Sequence, residues 1–322
     1  MISSFVFSDG KVVGTDLELD ALRLVRADKG LFLWVDLSDP TPEEIRDVLE
    51  TLFAFHPLAI EDCVTPTDVP KLEDYDDYLF IVMHAVDFTR TEKFNTTELD
   101  LFLGKNFVVT FRRAELKAVD GVLDRCRKTT APFAKAPDRI AHYVLDAIID
   151  LYQPVTDEFR EELEDIEAEL LSPEQKDLIP TLLETREELA HLRRIIAPQR
   201  DVINRLALGE SDLIRPVMLP YFRDLKDNLV RINERAITFS DQLLIAFDLF
   251  LSKSGFQANE GIKVLTALTA ITLPAMVIGT WFGMNFNHMP ELHTAAGYPV
   301  VLLLTLAVSG TMWWWCKKRR WI

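Results

Sequence analysis

Residues 264–285 read VLTALTAITLPAMVIGTWFGMN, and residues 297–316 read GYPVVLLLTLAVSGTMWWWC. The first is uncharged and largely apolar from Val264 to Phe282 and then gives way to Gly283-Met284-Asn285; the second is uncharged from Gly297 to Cys316. About 20 apolar residues of helix cross the hydrocarbon core of a bilayer, so each stretch predicts one membrane span, with residues 283–296 as the loop between them. Two helices cannot wall off a polar path through lipid, where every polar group must be satisfied by protein. Any route for a solute therefore demands several copies of the chain.

The chain carries 35 Lys and Arg against 51 Asp and Glu. From Lys263 onward there are five bases (Lys263, Lys317, Lys318, Arg319, Arg320) and one acid, Glu291, which leaves 30 bases and 50 acids before them. The soluble bulk is thus strongly acidic. Such a field repels nucleic acid and concentrates cations, and it also keeps a domain soluble, so both readings stand at this point. The basic cluster abuts the second span, Lys263 precedes the first, and the connecting loop has neither Lys nor Arg. The positive-inside rule then puts both termini in the cytoplasm, and Trp313-Trp314-Trp315 and Trp321 fall where an interfacial aromatic belt is expected. Met1 to Gly10 lacks the basic start and apolar core of a signal peptide, so the large domain is expected inside. Cys63, Cys126 and Cys316 form no CxxC pair, consistent with a reducing compartment.

Up to about residue 136 the pattern predicts a cytoplasmic α/β or α+β domain. Leu31 to Leu37, Tyr78 to Val86, Leu99 to Leu103 and Phe107 to Phe111 are strand-length runs rich in β-branched and aromatic residues. Gly104-Lys105-Asn106 has the composition of a tight hairpin turn. Thr41-Pro42-Glu43-Glu44 predicts a helix start, with Thr41 as N-cap, Pro42 at the first helical position and Glu44 closing a capping box. Residues 137–262 predict long helices. Phe159, Leu163, Ile166 and Leu170 recur at four, three and four, and Leu189, Leu192 and Ile196 at three and four, as expected of antiparallel helices joined near Leu171-Ser172-Pro173. No proline falls between Pro220 and Pro274, so one helix can run from the soluble region into the membrane, weakened locally at Gly255 and Gly261. Residues 263–322 form the membrane part, with spans at about 264–282 and 297–316.

The Gly-Met-Asn triplet at the end of a span, followed by Met289-Pro290-Glu291-Leu292, resembles the signature of the CorA family of divalent-cation channels. The resemblance extends through Phe55-His56-Pro57-Leu58, Ile60-Glu61-Asp62, Pro220-Tyr221-Phe222-Arg223-Asp224, Asn259-Glu260, Lys263-Val264-Leu265-Thr266, Gly297-Tyr298-Pro299 and the basic tail before Trp321. It implies a homopentamer with a cytoplasmic funnel in the inner (plasma) membrane, passing Mg²⁺ and also Co²⁺ or Ni²⁺. Mg²⁺ sheds its waters reluctantly, so a ring of neutral acceptors can hold the hydrated ion by its water shell. By resemblance Gly283, Met284 and Asn285 form that filter, with Asn285 supplying the side-chain carbonyls. Taken alone, Gly-Asn reads equally as a helix cap. Glu291 is the only formal charge of the outer loop, either a carboxylate ring at the mouth or a solvated loop residue; His288 and His293 lack a third ligand for a zinc site.

Asn259, Ile262, Leu265, Thr269, Leu273 and Met276 recur at three and four and share one helix face, whose alternative role is packing or lipid contact. By resemblance this face lines the pore, with Ile262 and Leu265 as a hydrophobic gate and Asn259 as a polar ring at its entrance. Met276 departs from some relatives, in which a threonine lines the pore. The resemblance also implies regulatory divalent cations held between neighbouring cytoplasmic domains by Asp62 and Asp248, with Glu61, Asp146 and Asp224 as a second cluster. Mg²⁺ would then be both substrate and regulatory ligand, with no prosthetic group. The chain has no GxxxxGK[ST], HExxH or GxSxG, so no enzyme activity is expected. The alternatives are a zinc transporter of the same superfamily, coupled to protons, and a non-conducting membrane-anchored cation sensor.

Overall fold

The computed structural model describes residues 1–28, 30–67, 69–86, 95–129, 131–172, 178–284, 294 and 296–321. It separates into two compact units, Met1–Leu244 and Ile245–Ile322.

The first unit is built on a seven-stranded mixed sheet. Its strands are β1 (Ile2–Ser8), β2 (Lys11–Thr15), β3 (Phe32–Ser38), β4 (Lys71–Asp74), β5 (Tyr78–Val86), β6 (Thr96–Gly104) and β7 (Phe107–Arg112), in the order β2-β1-β3-β7-β6-β5-β4. The β3–β7 pair is parallel and the other described pairs are antiparallel. The predicted hairpin turn joins β6 to β7, with Leu103 opposite Val108. A Cβ on Gly104 would run into the Phe107 ring, which explains the glycine there. Every residue of β5 is buried, so both faces of the sheet are covered.

One face carries α1 (Leu19–Ala27), α2 (Pro42–Ile45), which continues as a π-type turn over Arg46–Leu52, and α3 (Pro57–Val64). Their Leu22, Val48, Leu49, Phe53, Phe55 and Ile60 form a core with Leu33, Val35, Phe80, Phe102 and Val109 of the sheet, each fully buried side chain contributing about 1.5–3 kcal/mol. The predicted capping box is present: the Thr41 N–H donates to Glu44 Oε2 at 2.9 Å and the Glu44 N–H to Thr41 Oγ1 at 3.2 Å. The other face carries α5 (Pro137–Asp150), preceded by α4 (Lys117–Lys128); α5 packs across β3, β5, β6 and β7. A buried polar network ties α4 to the sheet. Arg112 donates to Asp36 at 3.0 Å and to Asp120 at 2.6 Å, and Thr110 donates to the second Asp36 oxygen at 2.6 Å. Burial raises the Asp36 carboxyl above its ordinary range more than Arg112 and Thr110 lower it.

Then come α6 (Tyr152–Leu171) and α7 (Ile179–Leu208). They run antiparallel, since Gln199 donates to the Tyr152 hydroxyl (2.8 Å) and Thr185 to Glu162 (2.6 Å). All seven apolar positions predicted to share their inner faces are buried. The helix α8 (Leu219–Phe282) is a single helix of 64 residues that continues through Pro274. In its first half Phe222, Leu225, Leu229, Ile232, Ala236, Phe239 and Leu243 are buried, at alternating spacings of three and four. Its second half belongs to the second unit with α9 (Gly297–Lys318). Among the described residues of that unit only Ala246, Ala267 and Cys316 are buried. Both helices are long and apolar enough to cross a membrane, and in each only 6% of the most apolar 18-residue window is buried.

Candidate functional site

The second half of α8 presents Asn259, Ile262, Leu265, Thr269, Leu273 and Met276 along one face, all exposed in the single chain. The hydroxyls on this stretch are committed to their own helix. Thr266 donates to the Ile262 carbonyl (2.7 Å), Thr269 to Leu265 (2.9 Å) and Thr280 to Met276 (2.6 Å). With its proton spent in this way, each oxygen offers only lone pairs outward, which suits the water shell of a cation and not an anion. Lys263, beside the face, is paired with Glu260 at 2.6 Å. At the end of the helix the Gly283 N–H bonds to the Gly279 carbonyl at 3.0 Å and the Met284 N–H to Trp281 at 3.4 Å. Gly283 is not in the left-handed conformation of a glycine cap. Its demand is for space: a Cβ there would lie 3.0 Å from the Gly279 carbonyl oxygen. Asn285, His288, Glu291 and His293 lie outside the described residues.

The acidic candidates of the first unit fall into two places. Asp62 and Glu61 sit on α3. Glu61 is exposed, whereas Asp62 is half-buried and held by Lys71 of β4, whose ammonium also donates to Glu73 at 2.9 Å. Burial pulls the Lys71 ammonium down, but the bonds to Asp62 and Glu73 outweigh it and its pKa is raised. Asp146, on α5, is half-buried. Burial first, then repulsion from Asp150 and from Asp224 of α8, raise its carboxyl against the pull of Arg125. Asp224 thus acts on the charge of Asp146 from α8, and Asp150, one turn along α5, acts on it more strongly and is a residue that sequence reasoning did not single out. Asp248 is exposed on α8 in the second unit.

Oxygen donors of this kind fit a hard divalent cation. Among the described residues, however, no three His, Cys, Asp or Glu side chains of one chain converge closely enough to hold a metal ion. Two other groups were not legible in the sequence. His142 of α5 is buried edge-on among Tyr143, Tyr221 and Phe222, and burial, then Arg139, lowers it to about 4. Glu98 and Asp100 of β6 are raised together: burial keeps Asp100 protonated well above the carboxylate range, and its neighbour Glu98 adds to this. The contacts of His142 with Tyr221 and Phe222 join distant segments, and Glu98 and Asp100, two apart on β6, lie on the same side of one strand, where the sequence alone does not show that they are buried.

A model of the family described as CorA-like Mg²⁺ transporter protein matches residues 29–318. The chain belongs to this CorA family of divalent-cation transporters. The protein YfjQ of Bacillus subtilis (strain 168) is 33% identical over 286 residues, 88% of each chain. The cobalt/magnesium transport protein CorA of Thermotoga maritima is 29% identical, over 90% of this chain and 83% of that one. More distant is the zinc transport protein ZntB of Yersinia pestis, 22% identical over 98% of this chain and 94% of that one. The complete structure of the CorA magnesium transporter from Methanocaldococcus jannaschii superposes with a TM-score of 0.83 at 20% identity, covering 100% of this chain and 99% of that one, and so shares its fold.

Proposed function

We propose that the chain assembles as a homopentamer in the inner membrane, both termini cytoplasmic, and conducts Mg²⁺, with Co²⁺ and Ni²⁺ as further cargoes. One observation carries this reading: the face of α8 from Asn259 to Met276 is uncovered in the single chain, its Thr269 hydroxyl turns lone pairs outward, and the helix runs unbroken to Phe282, just before Gly283-Met284. Five such faces around an axis make a conduit of the right chemistry. In it Asn285 holds the hydrated ion, Glu291 raises the divalent concentration at the mouth, and Ile262 and Leu265 close the path by dewetting. Thr269 supplies the acceptor ring that Met276 does not. An inside-negative potential favours entry of a divalent ion by about 4.6 kcal/mol per 100 mV, so no enzymatic step is needed.

Gating follows from carboxylates between subunits. Asp248 is exposed, Asp62 is shared with Lys71, and Asp146 and Asp224 repel one another. A hard cation bridging such groups across a subunit interface removes the repulsion and holds the closed state when the cell is replete; its loss loosens the subunits. Since among the described residues no three such ligands of one chain converge, Asp62 and Asp248 work as an intersubunit pair, with Glu61, Asp146 and Asp224 as the second cluster. The zinc reading draws less support, because the zinc transport protein is the more distant relative and Met284 keeps the triplet of the magnesium branch. The test is crosslinking of the detergent-purified protein, in which a ladder ending at five subunits is expected and a dimer contradicts the pore. Flux measurements, below, address the cargo and exclude a mere tether.

A further inference from the structure

We infer that the inner end of α9 is a recognition surface for anionic phospholipid headgroups. Lys317, Lys318, Arg319 and Arg320 are all exposed, and among the described residues no carboxylate pairs with any of them, whereas Lys263 at the other helix is matched by Glu260. Each of the first three lies back over the ring four residues earlier: Lys317 over Trp313 at 5.0 Å, Lys318 over Trp314 at 5.1 Å, Arg319 over Trp315 at 5.3 Å. Helical side chains lean toward the N-terminus, so the cations lie at the level of an interfacial tryptophan belt, where lipid phosphates lie.

The chain end is built to hold them there. The Trp321 N–H bonds to the Cys316 carbonyl at 3.0 Å and the Arg320 N–H to Lys317 at 3.1 Å, a Schellman closure with Arg320 in the left-handed conformation, φ 57°. Trp321 thereby folds back edge-on against Trp315, centroids 5.4 Å apart. Glycine is the residue that conformation favours; an arginine there is mildly strained and adds a cation. The closure engages the Cys316 and Lys317 carbonyls, so these two of the last four carbonyls are already bonded to backbone N–H groups. Four unmatched cations beside exposed indole rings have the complement of a phosphodiester headgroup within the membrane interface, and phosphatidylglycerol is the ligand chemistry we assign.

The full-length protein in phosphatidylcholine vesicles containing a small equal fraction of either acyl-brominated phosphatidylglycerol or acyl-brominated phosphatidylcholine reads this directly through tryptophan quenching, in a Trp281→Phe background so that only Trp313, Trp314, Trp315 and Trp321 report from the membrane. Preferential quenching by the brominated phosphatidylglycerol is expected, with enrichment of about fivefold per engaged cation. K317Q/K318Q/R319Q/R320Q should abolish it. Arg320→Gly, which supplies the residue that the left-handed turn prefers, should keep or raise thermal stability and still lower the preference. Millimolar inorganic phosphate should leave it unchanged. Equal quenching by the two lipids, an unaltered preference in Arg320→Gly, or displacement by free phosphate would each overturn the assignment. No ion flux is read, so the result is independent of the transport proposal.

Discussion

The two halves of α8 obey the same periodicity and meet opposite fates. From Phe222 to Leu243 the apolar positions at three and four are buried against the rest of the first unit; from Ile262 to Met276 the same spacing leaves them exposed. In the first unit polar groups are matched by distant partners, as Asp36 is by Arg112 and Gln199 by Tyr152, whereas in the second unit the hydroxyls bond within one turn of their own helix. A 64-residue helix whose second half is apolar and uncovered fits a lipid surrounding there, and the assembly proposed above would supply the rest of its contacts. Periodicity thus identifies a buried face, but the medium that buries it differs between the units.

This contrast can be broken by mutation. Phe222→Ala should destabilise the first unit by about 3–5 kcal/mol, as a fully buried aromatic does, while Met276→Ala should leave thermal unfolding of the detergent-solubilised protein within about 0.5 kcal/mol and change only ion flux. Equal destabilisation by both would erase the distinction. His142→Phe sharpens the description of the first unit. A histidine lowered to about 4 by folding contributes stability that is fully present above the unfolded value of about 6.5 and lost as pH falls through about 4. The difference in denaturant midpoint between wild type and variant should therefore shift in the variant's favour over that window, with Arg139 and Asp224 as the charges facing the ring; a constant difference would remove His142 from the acid response. The smallest effect concerns Lys71. Since its ammonium occupies Asp62, Lys71→Gln should lower the internal Mg²⁺ concentration that half-inhibits transport by a few-fold, roughly the 1 kcal/mol of a partly exposed ion pair. An unchanged or raised inhibitory concentration would mean that Asp62 is not competed for by a cation.

Much of this was legible in the sequence, and the gaps have physical causes. Tyr78–Val86 was predicted to its ends because β5 is buried on both faces and reads as one apolar run. The strands β2 and β4 were not predicted. They are the two edges of the sheet, and Lys71-Leu72-Glu73-Asp74 is half-solvated and polar, with no run to detect. The neighbouring β1, whose Ser3 and Ser4 interrupt its apolar run, was missed as well. The helix α4 is not evident from the sequence because its buried Val119, Val122, Leu123 and Cys126 are embedded in charge. The single helix α8 follows from the absence of proline between 220 and 274 together with the apolar span at 264–282, which takes it through Pro274. At the site, the face from Asn259 to Met276 follows from spacing alone and Asp150 lies one helical turn from Asp146 on α5, but the Lys71 clamp on Asp62 and the influence of Asp224 of α8 on Asp146 arise from tertiary packing.

The most direct measurement is entry of Mg²⁺ into proteoliposomes holding the purified protein, with and without a pH gradient, beside Asn285→Ala and with Zn²⁺ as the competing cargo. The proposal predicts Mg²⁺ entry that needs no proton gradient and falls at least about tenfold in Asn285→Ala, with the oligomer intact. Zn²⁺ entry driven by the pH gradient would instead place the chain with the zinc transporters, and no flux of either ion, or full Mg²⁺ flux without Asn285, would contradict the conducting pore drawn from α8.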